Sequence, residues 1–115
     1  MSAHTQAVVL SGYQISYEAY CFGLEYYENH DQLPYEWEDL FVASDETYGA
    51  YFFGEALVKL ADDDIPMCFE IDSLLASRYI IEKVQYAFDT LVRPYYEENN
   101  LPLPEYKKWL FLRVV

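Results

Sequence analysis

Apolar positions along the chain predict a sequence of short elements. Residues 5–10 (Thr-Gln-Ala-Val-Val-Leu) form an apolar run that reads as a short strand. Ile15, Ala19, Phe22 and Tyr26 then recur at helical spacing and predict a helix over 13–29, despite Gly23. Ser11 followed by Gln14 matches the capping box that would open it. Leu33, Trp37, Leu40 and Phe41 give an inward stripe to a short helix over 34–43, with Pro34 in its first turn. Tyr48, Phe52, Ala56 and Leu60 repeat every four residues, which predicts a helix over 46–61 behind a Ser44 cap. Gly49, Gly54 and the Tyr/Phe content make a hairpin the competing reading there.

The second half reads more plainly. Residues 65–71 are a strand entered through Pro66. Leu74, Ile81, Val84, Phe88 and Leu91 line a helix over about 73–92, capped by Asp72 or Ser73 and ended or kinked by Pro94. The Asn-Asn-Leu-Pro-Leu-Pro stretch is an extended connection, and 108–115 is a closing strand apolar enough to be buried on both faces. The expected fold class is α+β, with three to four helices packed on a small sheet of two to four strands. A chain of 115 residues makes that one compact domain, 1–115.

Composition changes this picture in two ways. The chain is 53% apolar and 19% aromatic, with 13 Tyr, 7 Phe and 2 Trp, which excludes the disorder expected of an acidic, aromatic-poor sequence. Cys21 and Cys68 lie in apolar company without metal-ligand or redox-motif spacing; they read as buried free thiols in a reducing compartment, with a disulfide as the alternative. The first residues lack the features of a signal peptide, and no apolar run is long enough to span a bilayer. The expected location is cytoplasmic, in the host cytoplasm if the gene is carried by a phage.

Charge then narrows the function. The net charge is −13, and it is unevenly placed. Ten carboxylates precede Lys59, the first basic residue. Residues 1–77 hold 15 acids and one Lys, whereas 78–115 hold five acids and six bases. Such a field repels nucleic acid and anionic membranes and attracts basic proteins and cations.

Glu18, Glu25 and Glu28 fall within about 80° of one another on a helical wheel, beside the apolar stripe. Asp31, Glu36, Glu38, Asp39, Asp45 and Glu46 extend that row. Spaced over about 10 Å per seven helical residues, these carboxylates match the scale of phosphates along a nucleic-acid strand. Solvated helix faces ordinarily mix both signs, and this one does not. Asp62, Asp63 and Asp64 offer oxygen ligands to Ca²⁺ or Mg²⁺, but adjacent residues rarely converge on one ion and no EF-hand spacing follows. They read as an acidic loop that continues the row. Tyr27 and Tyr35 sit beside these acids, where an arginine can stack on a ring and pair with a carboxylate. His4 and His30 belong to no ligand or catalytic spacing, and Gly occurs only at 12, 23, 49 and 54, without a phosphate-cradling loop. No metal, cofactor or catalytic residue is expected, and the chain does not read as an enzyme.

In composition the chain resembles the small acidic proteins that imitate nucleic acid: phage and plasmid anti-restriction proteins, anti-CRISPR proteins, uracil-glycosylase inhibitors and inhibitors of histone-like proteins. They share no motif, so the resemblance carries over no residue. It implies a stoichiometric inhibitor in the basic groove of a nuclease, restriction enzyme, CRISPR effector or histone-like protein. Two other readings remain open. One is an immunity protein or antitoxin that blocks a single cognate toxic nuclease. The other is an acidic domain of halophilic type without a dedicated partner.

Overall fold

A computed structural model describes residues 5–44, 49–60 and 76–114. Four strands, β1 (Thr5–Ile15), β2 (Phe41–Ala43), β3 (Tyr51–Leu60) and β4 (Lys107–Val114), make one antiparallel sheet in the order β2-β3-β1-β4. Three α-helices, α1 (Tyr17–Glu28), α2 (Arg78–Leu91) and α3 (Arg93–Glu98), and one 3₁₀ helix (Tyr35–Leu40) complete an α+β fold.

β1 and β3 are long and strongly bent. Phe52 of β3 lies opposite Gln14, and Phe111 of β4 lies opposite Val8, six residues earlier in β1. In a flat sheet that offset alone is about 20 Å. Their rings nevertheless stack with centroids 4.2 Å apart. The sheet bends where Gly12 and Gly54 pair. A Cβ on Gly12 would lie 2.3 Å from the Phe53 carbonyl oxygen, and one on Gly54 would lie 2.4 Å from that of Ser11. Only glycine permits two backbones this close approach. A bulge follows, where the register passes from Val9↔Val58 to Leu10↔Ala56 and skips Leu57.

Alternation along the strands sends side chains into two cores. On the concave face Val8, Leu10, Val42 and Phe52 pack with Trp109 and Phe111. On the other face Tyr13, Ile15, Phe41 and Phe53 meet Ala19 of α1, Trp37 and Leu40 of the 3₁₀ helix, and Val84, Ala87, Phe88 and Leu91 of α2. Tyr13 stacks on Phe88 at 3.9 Å. Ser11, a buried polar residue on this face, hydrogen-bonds the Tyr106 hydroxyl, which ties the connection before β4 to the sheet. The Trp109 Nε1–H donates to the Gly12 carbonyl at 3.0 Å and fixes β4 beside the bend.

Several expectations are corrected. The strand predicted over 5–10 continues to Ile15, so Ser11 and Gln14 belong to β1 and form no capping box. α1 starts at Tyr17, and the Ser16 hydroxyl caps it by accepting from Ala19 N–H at 3.1 Å. The helix expected over 34–43 is a 3₁₀ helix over Tyr35–Leu40 that runs directly into β2. The helix expected over 46–61 is overturned, because 51–60 is a single strand, β3, paired with β1 and with β2. α2 begins at Arg78 with Ser77 as its cap, and Pro94 opens α3 within its first turn. β4 is an edge strand with Leu110 and Leu112 57% and 60% exposed, not one buried on both faces. Cys21 is an exposed thiol on α1, not a buried one. The predicted strand over 65–71, Asp72, Ser73, Leu74, Cys68 and His4 lie outside the described residues.

Candidate functional site: an acidic helix and 3₁₀ surface

α1 lays one side on the core. Ala19 and Gly23 are buried, and Gly23 brings the helix against the Phe41 ring and Val92. The opposite side is therefore the one left to water, and Glu18, Glu25 and Glu28 occupy it as the wheel predicts. Glu18 and Glu28 are about 15 Å apart along the axis. Beyond the helix, His30 is exposed; its Nδ1–H donates to the Tyr26 carbonyl at 2.7 Å and its ring stacks on Tyr26. Asp31 follows in the turn, also exposed.

The chain then enters the 3₁₀ helix. With three residues per turn, positions three apart eclipse. Trp37 and Leu40 form the buried row, which leaves Tyr35 with Glu38, and Glu36 with Asp39, as two rows facing water. Tyr27 joins the two elements. It is half-buried, and its hydroxyl is pushed above its ordinary value by burial first and then by the Glu38 and Asp39 carboxylates. The end of α1 and the 3₁₀ helix thus form one surface.

Seven of the predicted carboxylates, Glu18, Glu25, Glu28, Asp31, Glu36, Glu38 and Asp39, are exposed, and none is ion-paired among the described residues. Four of the bases are engaged with other acids. Arg78 pairs with Glu82, Lys83 with Glu55, Arg93 with Asp89 and Glu97, and Lys107 with Glu105. The remaining five acids of the predicted row, Asp45, Glu46, Asp62, Asp63 and Asp64, lie outside the described residues. Among the described residues no group of three or more His, Cys, Asp or Glu is placed to hold a metal ion. No described helix is long and apolar enough to cross a membrane.

Two features were not legible in the sequence. A cavity of about 440 Å³ opens where Glu38 and Asp39 approach Val42, Ala56, Lys59 and Arg113. Lys59 and Arg113 are 54 residues apart in sequence, and no spacing links them to the acidic helix; only the bent sheet brings them there. The second is Tyr86 of α2, 67% exposed, whose ring meets the buried Trp37 edge-on at 5.6 Å. No family model matches the chain, and no curated protein or solved structure matches it.

Proposed function

We propose that the chain is a stoichiometric inhibitor that imitates nucleic acid and occupies the basic DNA- or RNA-binding groove of a nuclease, restriction enzyme, CRISPR effector or histone-like protein in the cytoplasm. The observation that carries this reading is the set of seven exposed carboxylates without ion pairs among the described residues, while Arg78, Lys83, Arg93 and Lys107 pair with other acids. Unpaired surface acids repel one another and destabilise the fold, so a surface that keeps them favours a partner of opposite sign. Affinity comes from charge-assisted contacts to Arg and Lys, and association is fast and weakened by salt.

The test is competition. The protein is titrated against a panel of such proteins loaded with labelled duplex DNA, across a salt series. The expected outcome is displacement of DNA at equimolar protein and a steep loss of affinity with salt. Changing Glu25, Glu28, Glu36 and Glu38 together to Gln should weaken binding at least tenfold. A complex indifferent to salt and to these changes would overturn the proposal. The fully exposed Tyr35 also favours the second reading, an immunity protein with one cognate toxin, because aromatic anchors give specificity. Inhibition of a single nuclease across the whole panel would select it.

A further inference from the structure

We propose that the cavity between the two outer strands of the bent sheet is a binding site for a small zwitterion, an α-amino acid with an apolar side chain. The proposal goes beyond the inhibitor reading and does not depend on it. β2 and β4 are the outer strands of the described sheet, and Val42 of one and Arg113 of the other line the same cavity. Its volume of about 440 Å³ lies in the range of small-molecule sites. Glu38 and Asp39 reach it from the 3₁₀ helix, and Lys59 reaches it from β3.

The charges of the wall choose the occupant. Neither Glu38 nor Asp39, and neither Lys59 nor Arg113, is ion-paired among the described residues. Glu55 also lines the cavity, but it is engaged with Lys83 at 3.2 Å. Two charges of each sign therefore face one space without pairing to each other. Their fields fall on different tyrosines of α1. Burial first, then Glu38 and Asp39, raise the Tyr27 hydroxyl, whereas Tyr20, raised by burial and by Tyr51, is pulled back by Arg113. A ligand of one sign is attracted by one pair and repelled by the other. A zwitterion satisfies both. Its carboxylate suits the forked donors of Arg113, with Lys59 as a second cation, and its ammonium suits Glu38 and Asp39. Phe41, Val42 and Ala56 supply an apolar wall for an aliphatic side chain.

Leucine, N-acetylleucine and leucinamide are titrated against the protein and followed by calorimetry and by backbone amide NMR shifts. Leucine should bind and shift the amides of 38–42, 55–59 and 113. N-acetylleucine lacks the ammonium and leucinamide lacks the carboxylate, so each should bind at least about tenfold more weakly, the loss expected for a missing charge-assisted contact. Lys59→Gln with Arg113→Gln should remove the preference for leucine over leucinamide. Glu38→Gln with Asp39→Asn should remove the preference over N-acetylleucine. Lys107→Gln, a base outside the cavity wall, should change neither. Equal binding of leucine and leucinamide would reduce the site to general attraction of cations by a chain of net charge −13, and would overturn the proposal. Equal binding of leucine and N-acetylleucine would overturn it in favour of an anion site. Absence of any shift with leucine at millimolar concentration would overturn it outright, and all three results would leave the displacement of nucleic acid to be judged by its own test.

Discussion

Tyr13 combines packing and titration in one residue. Its ring stacks on Phe88 and meets Tyr106 edge-on. Burial, then the Asp89 carboxylate, push its hydroxyl from 10.0 up to about 12. Tyr106 is pushed the same way, chiefly by burial. The unfolded chain releases the Tyr13 proton near pH 10, whereas the folded chain holds it to about 12. In that window the folded state binds more protons, so stability is complete below 10 and falls as pH rises toward 12. Melting temperature should therefore drop across that alkaline range, and Tyr13→Phe should drop less; identical profiles would refute the assignment. The sequence named none of this. A tyrosine among thirteen is apolar or wet according to which face its strand presents, and the apolar spacing puts Tyr13 at the start of a helix. Cys21 is exposed for a similar reason, since its apolar neighbours in sequence point elsewhere on the helix.

At the scale of elements, β3 explains the largest misreading. Tyr48, Phe52, Ala56 and Leu60 repeat every four residues, and a spacing of four satisfies a helix nearly and a strand fully, because four is a multiple of two. Only a partner three residues away discriminates, as in α2, where Ile81, Val84, Phe88 and Leu91 fixed a helix correctly. What made 51–60 a strand is its pairing with β1, and that pairing depends on the Gly12/Gly54 contact. Gly54→Ala should abolish cooperative folding, because the added methyl meets the Ser11 backbone, which cannot yield. Gly23→Ala is the contrast. There the nearest atoms are the Phe41 ring edge at 2.9 Å, which can shift, and alanine gains about 1 kcal/mol of helix propensity. Thermal melts should separate the two variants widely; similar melting temperatures would contradict the close approach of β1 and β3 at Gly12 and Gly54.

The whole molecule carries a charge of −13, and four of its seven bases pair with acids outside the α1 and 3₁₀ surface. Like charges left on α1 and the 3₁₀ helix lower stability through mutual repulsion, which salt screens within about 10 Å at 0.1 M. Raising ionic strength should therefore raise the melting temperature. The four-fold Glu→Gln variant should melt higher than the natural chain at low salt and show a flatter salt dependence. A melting temperature indifferent to salt would mean that the carboxylates lie too far apart to interact. Stability and partner binding thus respond to salt in opposite directions.

By itself the sequence determined the sign and asymmetry of the charge, the α+β class and the outward face of α1, because these depend on composition and on periods read within one segment. It also placed Trp37 and Leu40 inward on the element that carries the acids. Tertiary structure alone decided that the sheet bends at Gly12 and Gly54, that Lys59 and Arg113 meet Glu38 and Asp39 around one cavity, and that Tyr86 stands beside Trp37. Those contacts join residues far apart in the chain, and no local pattern encodes a distance that only the packing of the sheet against the helices creates.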